Sequence, residues 1–134
     1  MTKPKLSLKG EFSVSVYYED TDFTGYVYHA NYLKFFERAR EELISFKTLR
    51  DLYEKKKHFV ISSLNMNFKK PAHHSDKLLI RTTAEISSSP RSLFHQEAWL
   101  IKDKKETLLV SADLNLVFVN EIGKPTRVDL NDFK

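Results

Sequence analysis

"ANYLKFFERAREELISFK", residues 30–47, decides the architecture. Tyr32, Leu33, Phe35, Phe36, Ala39, Leu43 and Phe46 recur at the spacing of one helical face, while Lys34, Glu37, Arg38, Glu41, Glu42 and Ser45 fall opposite. The pattern predicts an amphipathic helix of four or more turns. So many aromatics on one stripe mark it as the central core element, and the rest of the chain must be able to cover it.

On the N-terminal side the period changes to two. Phe12, Val14, Val16 and Tyr18 alternate with Ser13, Ser15 and Tyr17, which predicts a half-buried strand over residues 11–18 with Tyr18 on its apolar face. On the C-terminal side, residues 48–57 suit a second, short helix. Four alternating runs follow. Val60, Ser62, Leu64, Met66 and Phe68 form the first, ending at Pro71, and Leu78 to Ile86 form the second. The third is Leu93 to Ile101; the fourth carries Leu108, Val110, Ala112, Leu114, Leu116 and Phe118 on one face, followed by a turn and a polar tail. Short connections predict antiparallel neighbours among these four. A strand, a long helix and four strands give an α+β layer with the helix on one face of a five-stranded antiparallel sheet. No repeat or low-complexity segment divides residues 1–134, so a single domain is expected.

Composition narrows the function classes. With 134 residues and 41% hydrophobic content there is material for one core. No run approaches the roughly 18 apolar residues of a membrane span, and Met1 to Gly10 is Lys-rich without the apolar segment of a signal peptide. A cytoplasmic location is the simplest expectation. The absence of cysteine excludes disulfides and thiol nucleophiles. The net charge of +4 is mildly basic, and the aromatics follow core periodicity rather than clustering with cations, so nucleic acid is the least favoured ligand. Basic runs at residues 55–57, 69–70 and 102–105 read as solvated loop ends or as a docking surface for a small anion such as a nucleotide phosphate.

The chemistry concentrates just before the helix, in "EDTDFTGYVYHANY", residues 19–32. Gly25 permits a positive φ and a close approach of backbone to ligand. The first turn of the helix, around Tyr28 to Asn31, is expected to present unpaired N–H groups, which favour a developing negative charge such as that on a polarised carbonyl oxygen. Glu19, Asp20 and Asp22 are candidate nucleophiles or general bases. Asp22, nearest the glycine and the helix end, stands first among them. His29 sits at the helix edge, where its side chain can reach a carboxylate or a substrate. A metal reading, with Asp20 and Asp22 or His73, His74 and Asp76 as ligands, is weaker, since adjacent histidines point apart on a strand and neither set then has an identifiable third ligand.

"VYYEDTDFTGYVYHANYLKFFERAREE", residues 16–42, resembles the signature of the 4-hydroxybenzoyl-CoA thioesterase family, in its YbgC-like acyl-CoA thioesterase branch. "FVISSLNMNFKKPAHHSDKL" and "LVFVNEIGKPTR" resemble later segments of the same family, so the likeness covers almost the whole chain. It implies a hotdog fold, a long helix wrapped by an antiparallel sheet, assembled as homodimers or homotetramers with sites at subunit interfaces. It further implies hydrolysis of acyl-CoA thioesters with no cofactor or metal, Asp22 as the catalytic carboxylate, His29 as donor to the thioester carbonyl, and Tyr18 as a supporting residue. Gly25, through its close backbone approach, and Tyr28, in the region of helix-start amides, complete the expected substrate site. "SSSPRSLF" suggests Arg91 and Ser92, and "GKPTR" suggests Arg127, as contacts for the nucleotide of coenzyme A. The Phe23-Thr24 pair departs from the small residues usual after the aspartate, which bears on the loop and the acyl pocket. Two alternatives stay open: a thioesterase acting on acyl carrier protein, and a non-catalytic hotdog subunit that binds acyl-CoA or a partner protein.

Overall fold

The computed structural model describes residues 4–134. Its elements run β1 (Lys5–Ser15), a 3₁₀ turn (Tyr18–Asp20), α1 (Asn31–Ile44), α2 (Phe46–Glu54), β2 (His58–Phe68), β3 (Lys77–Ser87), β4 (Arg91–Lys102), β5 (Lys105–Val119) and a closing 3₁₀ turn (Leu130–Phe133). The five strands form one antiparallel sheet in the order β1-β3-β4-β5-β2. Helix α1 lies on one face of it, as expected of a hotdog fold.

The stripe on α1 is buried as its period requires: Tyr32, Phe35, Phe36 and Ala39 are all in the core. They meet the inward faces of β3, β4 and β5, including Leu78, Ile80, Phe94, Val110, Leu114 and Phe118. Burying one such side chain contributes on the order of 1.5–3 kcal/mol, so this layer supplies the main driving force. One position breaks the binary pattern. Arg40 is only 8% exposed and donates from Nη1 to Gln96 Oε1 at 3.0 Å. Gln96 in turn donates to the Phe36 carbonyl and the Thr82 hydroxyl, both at 2.9 Å. This polar chain ties helix to sheet through otherwise apolar surroundings.

Several expectations are corrected. The helix does not run unbroken to residue 47. Ser45 turns out with φ 92° and ψ 145°, and its hydroxyl accepts the Thr48 N–H to start α2, leaving Phe46 exposed. β1 begins at Lys5, six residues earlier than the clearest alternation, and ends at Ser15; Tyr18 sits on the 3₁₀ turn, 84% exposed, not on an apolar strand face. The short β2–β3 link does not make those strands neighbours: β2 pairs with β5 and β3 with β1. The tail is not merely polar, since Val128 is buried and Leu130 and Phe133 pack on the core.

Two register shifts explain the faces that alternation misassigned. A shift between Ile61 and Ser63 puts Phe59 and Ile61 opposite the inward residues Phe118 and Leu116, so Val60 and Ser62 leave the face they were assigned with Leu64 and Met66. In β5, Trp99 pairs with Leu108 while Ala98 pairs with Val110, so Leu109 takes the buried place expected of Leu108. The freed Leu109 carbonyl accepts the N–H groups of Lys69 and Lys70, at 2.7 and 3.2 Å. That bulge holds the end of β2 beside the strand-to-helix loop.

Candidate active site

Residues 16–30 are fixed from both sides. Val16 N–H donates to the Asp76 carbonyl, Ser75 N–H to Val16, and Val27 N–H to Ala72. An isolated bridge joins Tyr26 to His73. The β2–β3 link therefore acts as a brace for the loop, and the three carboxylates acquire different jobs.

Asp20 is structural. Its Oδ2 accepts the Tyr17 N–H at 2.9 Å, and its carbonyl accepts both the Tyr28 N–H and Asn31 Nδ2, each at 2.9 Å. Asp20 thus fastens the 3₁₀ turn to the start of α1. Glu19 is exposed and makes no hydrogen bond among the described residues. Asp22 heads a tight reversal. Its carbonyl accepts the Gly25 N–H at 3.0 Å and its own N–H donates to the Tyr26 carbonyl at 3.0 Å, with Gly25 at φ +86°. That conformation is one L side chains rarely adopt, which accounts for glycine here.

The carboxylate of Asp22 is held by one oxygen. Oδ1 accepts the Thr24 hydroxyl and the Thr24 N–H, the latter at 2.8 Å. The Thr24 hydroxyl, then its N–H, and more weakly the nearby His29 hold the Asp22 carboxyl below the ordinary aspartate value. Oδ2 has no hydrogen-bond partner among the described residues.

Asp22 and His29 line one cleft of about 330 Å³ with Thr24, Tyr26, Val27, Tyr32, Phe68, Lys69, Lys70 and Pro71. The His29 ring stacks at a tilt on Tyr28, 4.5 Å between centroids, and meets the edge of Phe68 at 6.2 Å. Half of the expected amide cradle is already committed. Tyr28 N–H is taken by Asp20 and Asn31 N–H donates to the Tyr28 carbonyl, whereas His29 and Ala30 keep N–H groups without partners among the described residues. Ala30 caps α1 without a side-chain hydrogen bond, so nothing from the protein competes for these donors.

The other predicted residues lie elsewhere. Tyr18 is outside the cleft, its ring edge-on to His74 at 6.2 Å. Arg91 opens β4 at the opposite end of the sheet, paired with Val117, and is exposed. Ser92 beside it is 1% exposed with its hydroxyl unpartnered, so it faces the core and not the surface that carries Arg91. Arg127 is exposed at that same far end, where its carbonyl accepts Lys57 Nζ at 2.8 Å. Phe68, Lys69, Lys70 and Tyr32 join the site without a sequence motif that marks them. The Lys-Lys-Pro step at residues 69–71 is the available signal, but only the β5 bulge brings it to Asp22. The Tyr32 hydroxyl is buried without a partner, and burial, with Asp76 nearby, pushes its pKa up to about 12.

The helix laid on one five-stranded antiparallel sheet is the hotdog arrangement, the class to which thioesterases of this kind belong. The thioesterase superfamily model matches residues 24–107, and the chain belongs to that family. It is 36% identical over 116 residues to the acyl-CoA thioesterase YbgC of Haemophilus influenzae, covering 84% of this chain and 82% of that protein. A probable thioesterase from Bartonella henselae superposes with a TM-score of 0.74 at 36% identity, covering 91% of this chain and 99% of that one. A mutant 4-hydroxybenzoyl-CoA thioesterase crystallised with 4-hydroxybenzoyl-CoA superposes at 0.83 with 17% identity, over 92% of this chain and 95% of that one, which speaks to fold alone.

Proposed function

We propose that this protein hydrolyses acyl-CoA thioesters to a free acid and coenzyme A, with Asp22 as the catalytic carboxylate. The single observation that carries the reading is that Asp22, with one carboxylate oxygen unpartnered, lines one cleft with His29, whose N–H, like that of the adjoining Ala30, has no partner among the described residues. The thioester carbonyl oxygen accepts from the His29 and Ala30 N–H groups, where negative charge develops in the transition state. Asp22 Oδ2 then attacks the carbonyl carbon, giving a mixed anhydride that water cleaves to free acid and regenerated Asp22, or takes a proton from a water that attacks the carbonyl directly. The thiolate leaves without the strong acid assistance that an amine requires. The His29 side chain and Tyr28 ring border the thioester, and Lys69 and Lys70 add positive potential to the rim.

The location of the remaining cations makes a homodimer part of the proposal. β2 is a sheet edge with an unpaired ladder and exposed Val60, Ile61, Leu64 and Phe68. Arg91 and Arg127 cluster at the Val60 end, and the Asp22 cleft lies at the Phe68 end. Eight residues of strand separate these ends, about 26 Å. Antiparallel pairing of β2 with its copy carries a second subunit's Arg91 and Arg127 toward the cleft, where their guanidinium groups suit the nucleotide phosphates of coenzyme A. A closed two-fold pairing also removes the exposed edge.

Thiol release from a panel of aliphatic and aryl acyl-CoA substrates tests the reading. Asp22→Asn is expected to reduce turnover by at least a hundredfold with unchanged circular dichroism. Wild-type turnover in that variant refutes the assignment. Single turnover in ¹⁸O-water tests for direct attack, since label in the Asp22 carboxylate with unlabelled product acid arises only when water cleaves a mixed anhydride at the Asp22 carbon, whereas the general-base route labels the product acid alone.

A further inference from the structure

We propose that Thr24 is a positioning residue, which clamps one carboxylate oxygen of Asp22 and so presents the other to the thioester. The inference rests on Asp22 being the catalytic carboxylate, and it adds a residue that the family resemblance marked only as a departure from small side chains.

The geometry is specific. Both Thr24 donors, hydroxyl and amide, converge on Oδ1. A carboxylate held at one oxygen by two donors cannot rotate freely about its last bond, and its second oxygen is left without a hydrogen-bond partner among the described residues, on a residue that lines the cleft. The Thr24 hydroxyl is itself oriented, because Thr24 Oγ1 accepts the Tyr26 N–H at 3.3 Å. With its acceptor side engaged there, its own hydrogen is directed to Asp22. Tyr26 in turn bridges to His73, so the chain of contacts runs from the β2–β3 brace through Tyr26 and Thr24 to the reacting carboxylate. A glycine or alanine at residue 24 would keep only the amide contact. The carboxylate would then turn more freely, and part of its time would be spent with neither oxygen aligned.

There is an opposing effect. The same two donors stabilise the ionised form and make Asp22 a weaker base. Other titratable groups line the same cleft: His29 from the approach to α1, Lys69 and Lys70 from beyond β2, Tyr26, and Tyr32 with its hydroxyl buried. Removal of the Thr24 hydroxyl leaves these in place, so a change in the pH profile reports on the clamp itself. Orientation outweighs basicity, because a near-attack geometry is required in either hydrolytic route while both routes tolerate a weakly basic carboxylate opposite an activated thioester.

The test uses Thr24→Val, which keeps size and branching but donates no side-chain hydrogen bond, and Thr24→Ser, which keeps the donor. Residue 24 is exposed, and Thr24→Ala provides a second donor-free variant. We expect Thr24→Val and Thr24→Ala to lower kcat about threefold to tenfold, the range for one hydrogen bond, with KM unchanged. The acid limb of kcat/KM moves to higher pH, since loss of a donor to the carboxylate raises its pKa. Thr24→Ser restores both. Profiles and kcat values that superimpose on wild type overturn the proposal, as does a rise in KM at constant kcat. Full turnover in Asp22→Asn instead overturns the assignment of Asp22, and that outcome is read separately from the Thr24 series.

Discussion

At the level of single residues, hydrogen-bond donors set what each charged group can do. The Asp22 carboxyl is expected to titrate below the ordinary value of about 3.9, with Thr24 as the main cause. Carbon-detected NMR titration of the folded protein measures this directly; a midpoint at or above the ordinary value contradicts the geometry. His95 shows the opposite sign. Its Nε2 faces Glu97 Oε2 at 3.0 Å and its Nδ1 faces Asp113 Oδ1 at 2.8 Å, and the bonds to Glu97 and then Asp113 raise its pKa. The charged imidazole therefore stabilises the fold fully below its unfolded pKa near 6.5. That contribution fades as pH climbs through the raised folded value. The site is partly exposed, so the effect is at most about 1 kcal/mol. Denaturation of wild type and His95→Gln across pH 6–9 should show the gap closing as pH rises; a gap that widens refutes it.

Between elements, the instructive places are where binary pattern and backbone disagree. Ser45 occupies a region of φ and ψ that suits glycine, yet it also supplies the cap of α2. Ser45→Gly relieves the strain and loses little capping, whereas Ser45→Ala keeps the strain and loses the cap. In urea denaturation, Ser45→Gly is expected to be more stable than Ser45→Ala by about 1–2 kcal/mol. Equal stability would show that neither effect operates. The Arg40–Gln96 contact couples α1 to β4. Arg40→Met strands the Gln96 carbonyl and should cost about 1–3 kcal/mol; Gln96→Leu strands a buried guanidinium and should cost more, about 3–5 kcal/mol. The double variant should recover a large part of that sum, because both polar groups leave together. Strict additivity would mean that the contact carries no coupling.

For the molecule as a whole, the free edge of β2 and the distance between the Asp22 cleft and the Arg91–Arg127 end lead to one measurement. Leu64→Glu places charge at the middle of the exposed edge. On the proposed dimer, it should shift the light-scattering mass toward the 15.7 kDa monomer and weaken acyl-CoA turnover with it. A variant that stays fully dimeric would place the interface elsewhere. No helix among the described residues is long and apolar enough to cross a membrane.

Much of this was open to reading in one dimension. The buried face of α1 was legible because a 3.6-residue period survives any tertiary context that needs a single apolar stripe. Five strands were legible for the matching reason at period two. Asp22 stood out among three carboxylates through its place beside Gly25, and the resemblance to a family with that motif implied the catalytic role proposed for it. The bulges at residues 62 and 109 were not legible, because one extra residue flips every later side chain without changing composition. Nor was the division of labour between Asp20 and Asp22, which depends on which backbone donors the folded loop brings near each oxygen. Sequence determined the elements and the class of chemistry, both of which follow from local period and motif. Only the tertiary structure decided that β2 lies at an edge, that Ser92 is buried, and that Thr24 grips one oxygen of Asp22, because those facts depend on contacts and directions that a linear chain does not contain.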